Sequence, residues 1–198
     1  MSKIEIFHSA NFFRSYAQGK DLPSVLPEIA FLGRSNSGKS TLINTIVGQN
    51  QLVKTSKTPG KTKLINYFGV GELFYLVDLP GFGYSKVSHK DHKIMMELLG
   101  EYLNYSQKLK ILLILVDCKR EIPEEEGNYI IAACEKGIQP ILVRTKTDKL
   151  NQSEKSKLHK SMQEWKKNYK GLEIFLTTNK NDGEMQKLKK FVLSTLNL

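Results

Sequence analysis

A doubly wound α/β domain, with a mostly parallel six-stranded sheet and one antiparallel strand pair, is what this sequence predicts. Three observations carry that expectation. Strand-like and helix-like segments alternate from residue 28 onward, with no internal repeat between them. The unbroken apolar run at 111–116 has the character of a central parallel strand covered on both faces. A glycine-punctuated loop, Gly33-Arg34-Ser35-Asn36-Ser37-Gly38-Lys39-Ser40, joins an apolar strand to an amphipathic helix.

Taken in order, residues 1–22 are the least patterned. Ile4, Ile6, Phe12 and Phe13 are too apolar for a free tail, so an arm over 1–22 is expected to pack on a domain at 23–198. Pro23 and Pro27 punctuate the entry to a strand at Glu28-Ile29-Ala30-Phe31-Leu32. Leu42, Ile43, Ile46 and Val47 then recur at helical spacing until Gly48, a C-terminal stop. Residues 54–62 are polar and contain Pro59-Gly60, which predicts a long loop. Two strand-like runs, 64–70 and 72–79, meet at Gly71 as an antiparallel hairpin. A loop over 82–89 precedes a helix carrying Met95, Leu98, Leu99 and Tyr102. Pro123 followed by Glu124, Glu125 and Glu126 starts another helix, since proline and acids suit a first turn, and Gly137 ends it. After the strand Ile141-Leu142-Val143, Asn151 with Glu154 three residues on forms a helix-capping pattern. Leu158, Met162, Trp165 and Tyr169 share one face of that helix, a core stripe. A short strand at 172–176 and a helix bearing Met185, Leu188, Val192 and Leu196 follow.

Composition narrows the function classes. Hydrophobic residues at 40% and charged residues at 25% describe an ordinary globular chain of 198 residues and argue against disorder. The formal charge of +10 favours a polyanionic partner, nucleic acid or an acidic surface, but solvated helix faces account for it equally well. Two cysteines, Cys118 and Cys134, without C-x-x-C spacing, are expected to be core thiols in a reducing compartment. No apolar run approaches the ~18 residues of a membrane span, and the first residues lack a signal-peptide pattern. A cytoplasmic protein without a membrane or DNA partner, and a monomer, is expected.

In such a sheet, ligands bind beyond the carboxyl ends of the strands, where four segments converge. In Gly33–Ser40, glycines allow backbone N–H groups to cradle α- and β-phosphates, Lys39 can reach the β- and γ-phosphates, and the Ser40 hydroxyl can ligate Mg²⁺. Asp78, in Asp78-Leu79-Pro80-Gly81, stands where a carboxylate holds Mg²⁺ through water, and the Gly81 N–H can face a γ-phosphate. In Thr145-Lys146-Thr147-Asp148, a buried Asp148 carboxylate can accept from the N1–H and N2–H₂ edge of guanine, a donor pair adenine lacks. The Lys146 stem can lie along the base face. The Thr177-Thr178 turn ends the next strand. GTP or GDP with Mg²⁺ is the implied ligand. His89 and His92, three apart, read as a solvated helix start rather than a metal site.

These four motifs, with Thr58-Pro59-Gly60-Lys61-Thr62-Lys63 and Phe82-Gly83-Tyr84, resemble the translation-factor-type P-loop GTPases. More narrowly, with Leu26-Pro27-Glu28-Ile29-Ala30 and Asn66-Tyr67-Phe68, they are similar to the EngB (YihA/YsxC) group of ribosome-biogenesis GTP-binding proteins. The resemblance implies a G domain over 23–198 and a GTPase acting on the large ribosomal subunit or its assembly intermediates, through rRNA and ribosomal protein. It also implies a requirement for cell division and septation. Thr62 would be the switch I threonine on Mg²⁺, residues Gly60, Lys61, Thr62, Lys63 and Leu64 would close over the nucleotide, and Leu176, Thr177 and Thr178 would support the guanine. Thr145 stands where most GTPases carry asparagine and is expected to weaken the tie between its loop and the P-loop. Phe82 replaces the glutamine that orients water in many GTPases, so hydrolysis is expected to be slow without help. Lys39, Asn36, Thr62 and Gly81 are the candidate catalytic residues. Asn36 matches the asparagine that ligates K⁺ in potassium-activated relatives, or else bonds the loop to itself. A nucleotide-stabilised ribosome-binding module without essential turnover is the competing reading.

Overall fold

The computed structural model describes residues 3–53, 64–82, 89–178 and 182–198. Its seven strands are β1 (Ala10–Tyr16), β2 (Glu28–Gly33), β3 (Ile65–Val70), β4 (Phe74–Asp78), β5 (Leu109–Asp117), β6 (Gln139–Thr145) and β7 (Glu173–Leu176). The helices are α1 (Lys39–Val47), α2 (His89–Tyr105), α3 (Glu124–Glu135), α4 (Gln152–Asn168) and α5 (Asp182–Thr195). Strand order is β1-β3-β4-β2-β5-β6-β7. Pairing is parallel from β4 through β2, β5 and β6 to β7, and β3 runs antiparallel to both its neighbours. The fold is the expected α/β class, but the sheet has seven strands rather than six. The additional strand is β1, whose outward residues leave no alternating apolar pattern to read: Asn11, Phe12, Phe13 and Arg14 are all exposed. Backbone pairing with β3, from Ala10↔Val70 to Tyr16↔Ile65, recruits it, with a register shift between Phe12 and Arg14.

Apolar residues on the two faces of the sheet build two core layers. On one face Leu42, Ile43, Ile46 and Val47 of α1 and Met185, Leu188 and Val192 of α5 pack on Ile29, Phe31 and Leu113. On the other, Met95, Leu98, Leu99 and Tyr102 of α2 and Ile130 of α3 cover Ala30, Leu32 and Leu112. Met162, Trp165 and Tyr169 of α4 pack on that same layer, with the two rings stacked at 4.9 Å between centroids. The α4 start carries the capping box its sequence indicates: Asn151 Oδ1 accepts from the Glu154 N–H at 2.9 Å, and Glu154 Oε2 accepts from the Asn151 N–H at 2.8 Å.

Register places the functional edge. Phe31 pairs with Asp78, Gly33 with Leu115, and Asp117 with Thr145, so the segments that follow β2, β4, β5 and β6 leave the sheet at one edge. The opposite edge holds a buried polar group that the sequence gives no reason to suspect. Glu28, at the start of β2, is fully buried and accepts from Tyr102 Oη at 2.7 Å and Ser106 Oγ at 2.8 Å. Its second oxygen and the Tyr67 hydroxyl have no hydrogen-bond partner among the described residues.

Burial pushes the Glu28 carboxyl above its ordinary 4.5, against the two hydroxyl donors, which favour the carboxylate. The folded chain therefore keeps this proton to higher pH than the unfolded chain. Its contribution to stability is present below 4.5 and is lost as pH rises through the raised value. Glu28→Gln, which holds the site neutral at every pH, is expected to remove that decline in a series of urea midpoints taken upward from about pH 4.5. An unchanged slope would assign the decline to other groups.

Candidate nucleotide-binding site

The P-loop turns sharply between β2 and α1 because two of its residues can adopt left-handed backbone. Asn36 has φ 67° and Gly38, the N-cap of α1, φ 97°. Gly33 is required for a different reason: a Cβ there would stand 2.6 Å from Ser37 Oγ and 3.0 Å from the Leu115 carbonyl. Lys39 and Ser40 open α1, half-buried, where the helix presents its N–H groups and positive dipole end. Lys39 Nζ pairs with the Asp78 carboxylate at the end of β4. Asp78 is buried, and Leu79 continues beneath the loop with its N–H donating to the Phe31 carbonyl at 3.2 Å. Pro80 is buried and Gly81 lies against the P-loop, where a Cβ would be 3.5 Å from the Gly33 carbonyl. The Ser35 N–H then donates to the Phe82 carbonyl at 3.0 Å. Ser40, which follows Lys39 on α1, and Asp78, which pairs with it, offer hard oxygen donors, a set whose chemistry fits Mg²⁺ beside phosphate.

The base-reading side is stitched to this loop. Thr145, at the end of β6, is buried, and its Oγ1 donates to the Ser37 carbonyl at 2.7 Å. Threonine thus makes the tie to the P-loop that its residue type gave reason to doubt, its hydroxyl reaching the carbonyl directly. Lys146, itself at φ 61°, donates to the Asn36 carbonyl at 2.7 Å and to Asp117 Oδ2 at 2.8 Å. The Thr177 N–H donates to the Arg144 carbonyl at 2.9 Å and the Thr147 N–H to the Thr177 carbonyl at 3.3 Å, which places Leu176, Thr177 and the half-buried Thr178 beside residues 145–148. Asp148 is exposed rather than buried, so its carboxylate is solvated. A base placed over it without a donor pair would leave the carboxylate desolvated and unpaired.

Three features of the site were not evident from sequence. Asp117 anchors Lys146 and caps its own turn by accepting from the Lys119 N–H at 3.0 Å; its carboxyl lies below the usual range because the hydrogen bond from Lys146 and that N–H outweigh the opposing effect of burial. Arg144 is buried, and its guanidinium donates to the carbonyls of Asp117, Cys118 and Arg120, fixing the turn that carries Asp117. Arg34 does not turn toward the cradle. It pairs with Glu125 at 3.0 Å and Glu126 at 2.9 Å on α3, with its guanidinium carbon 5.8 Å from the Phe82 ring centroid. A charged residue at the end of an apolar strand is the signal that could have marked Asp117 and Arg144. Of the remaining expected residues, Leu64 is exposed just before β3, and Gly60, Lys61, Thr62 and Lys63 lie outside the described residues, as does the His89 side chain. Cys118 is buried and donates to the Lys146 carbonyl at 3.1 Å, and Cys134 is half-buried; both are free thiols.

Comparison with known proteins closes the identification. A family model described as 50S ribosome-binding GTPase matches residues 28–146. The probable GTP-binding protein EngB of Leptospira biflexa is 48% identical over 204 aligned residues, covering all of this chain and 94% of that one. The chain belongs to the EngB family of GTP-binding proteins. A second EngB relative, from Prosthecochloris aestuarii, is 46% identical over 78% of this chain and 81% of its own. EngB proteins are GTPases by this family assignment, and the P-loop and Asp78 lie within the matched residues. The fold is shared with a crystal structure of a probable EngB protein (TM-score 0.64, 19% identity, 86% of this chain and 98% of that one). It is shared as well with Era in complex with MgGDPNP and a 16S ribosomal RNA segment (TM-score 0.61, 20% identity, 88% and 57%).

The Thr145 bond is the tie most open to test. Thr145→Val, which keeps the shape and removes the donor, is expected to cost about 1 kcal/mol, roughly a fivefold loss of GDP affinity measured with a fluorescent nucleotide. Thr145→Ser should retain most of that affinity. Equal affinities for the threonine and valine forms would show that the bond does not hold the site.

Proposed function

We propose that this chain is a slow, Mg²⁺-dependent GTPase that acts in the cytoplasm on the assembling large ribosomal subunit, and that cell division and septation depend on this role. Lys39 binds the β- and γ-phosphates, exchanging its Asp78 partner for them, and Asp78, Ser40 and Thr62 would hold the metal. Bound there, Mg²⁺ neutralises charge on the phosphate oxygens. Asp148, with Lys146 along the base, selects guanine, and Leu176, Thr177 and Thr178 support it.

Slowness rests on one observation: Phe82 is fully buried, its ring 5.8 Å from that of Tyr129. An apolar side chain turned into the core neither orients nor deprotonates water, so a further group must stabilise the transition state. Asn36 is one candidate. Its amide makes no hydrogen bond among the described residues, so it is not used to tie the loop to itself, and its exposed position leaves it free to ligate K⁺. K⁺ is then expected to accelerate single-turnover hydrolysis over Na⁺ at equal ionic strength, and Asn36→Ala to abolish the difference while GDP affinity stays within about twofold. Equal rates in the two salts, measured with ribosomal particles present, would remove Asn36 from the chemistry.

The ribosomal partner is supported by the description of the matching family and by the +10 charge. Cosedimentation with purified large subunits is expected to be stronger with a non-hydrolysable GTP analogue than with GDP. Equal cosedimentation in both states would favour the second reading that the buried Phe82 also permits, a nucleotide-stabilised binding module in which turnover is dispensable. No cosedimentation in either state would overturn the ribosomal role.

A further inference from the structure

Charge on the described surface is segregated by helix. α3 opens on three consecutive glutamates, whereas residues 149–170, which contain α4, hold seven lysines against two acids. One of those acids, Glu154, is engaged in the capping box. Lys155, Lys157, Lys160 and Lys167 are exposed, and among the described residues only Lys166 of the α4 lysines is in an ion pair, with Glu173 at 2.9 Å. Lys157 and Lys160 are three apart on α4, a spacing at which like charges repel on a helical surface. An external anion relieves that repulsion.

We propose that the exposed face of α4 is the docking surface for an RNA phosphodiester backbone. The proposal rests on the ribosomal reading for the source of that RNA, namely ribosomal RNA. The helix is 17 residues long, about 25 Å, enough to follow several phosphates. Its start lies three residues past the turn Thr147–Lys149, beside the base-reading loop. At its other end the lysines run into a cleft of about 360 Å³ bordered by Lys170, Lys110 and Gln139, which extends the cationic track into a concave site. An acidic membrane fits this face less well. Interfacial helices bury an apolar side in the bilayer, and here Leu158, Met162, Trp165 and Tyr169 are already packed inward. The lysine face is interleaved with exposed polar residues instead, Ser156, His159, Gln163 and Asn168. Phosphate contacts from such side chains position a nucleic acid without reading its sequence.

The test compares Lys157→Gln/Lys160→Gln/Lys167→Gln with a control of equal charge, Lys3→Gln/Lys20→Gln/Lys190→Gln, all at exposed positions. Binding of a labelled single-stranded oligoribonucleotide is followed by anisotropy over a range of salt concentrations. Each lost phosphate contact flattens the plot of log affinity against log salt by about 0.7, so the α4 variant is expected to be shallower by roughly two and the control unchanged. GDP affinity and thermal midpoint are expected to match the wild type in both, which excludes misfolding as the cause. Cosedimentation with large subunits should fall in the α4 variant alone. An unchanged slope in that variant, an equal change in the control, or binding to phosphatidylglycerol vesicles in place of RNA would overturn the assignment. The oligonucleotide measurement needs no ribosome, so failure of this surface is distinguished from failure of the ribosomal role.

Discussion

The outward-facing backbone of the P-loop is the constraint on which the rest of the site depends. A phosphate cradle directs its N–H groups inward, which leaves carbonyls directed at the surrounding loops. Two of these carbonyls are taken by the base-reading side, Ser37 by Thr145 and Asn36 by Lys146. A third bond departs from that pattern: the Ser35 N–H turns outward and donates to the Phe82 carbonyl, fastening the segment after β4. The P-loop and the segments after β4 and β6 are therefore one hydrogen-bonded unit. A distortion of the loop at residues 35–37 would reach the segments after β4 and β6 together.

Beneath that unit lies a second set of polar groups buried at some cost. The Arg144 guanidinium is removed from water, and burial lowers its pKa, yet its partners are neutral carbonyls rather than a carboxylate. Its role is to hold the turn after β5, which in turn offers Asp117 to Lys146. Arg34 does similar work from the P-loop side, bridging to α3 through Glu125 and the buried Glu126. Arg144 fixes main-chain carbonyls and Arg34 two carboxylates, tasks for which a planar group with several donors is better suited than lysine.

What the sequence revealed, and what it hid, divides along physical lines. The P-loop, Asp78 and residues 145–148 are legible because each has a fixed chemistry at a fixed distance from a strand end. The helices are legible because Leu42, Ile43, Ile46 and Val47, or Met95, Leu98, Leu99 and Tyr102, carry the period of a buried face. β1 escapes because main-chain pairing holds it at the sheet edge with its side chains mostly in solvent. Glu28 escapes because its partners, Tyr102 and Ser106, are more than seventy residues distant, and only the fold brings them together. The tie made by Thr145 escapes because residue type does not reveal the reach of one hydroxyl to the Ser37 carbonyl.

The register shift between Phe12 and Arg14 in β1 has a consequence for the molecule among its own copies. An open sheet edge is a template on which another chain can extend the ladder, and the exposed aromatics of β1 would make such growth adhesive. The irregularity interrupts the regular ladder of β1 midway, and Arg14 sets a charge beside the break. At the opposite edge β7 is four residues long, too short to seed extended pairing. Misalignment on one side and brevity on the other each shorten the regular ladder that an added strand could extend.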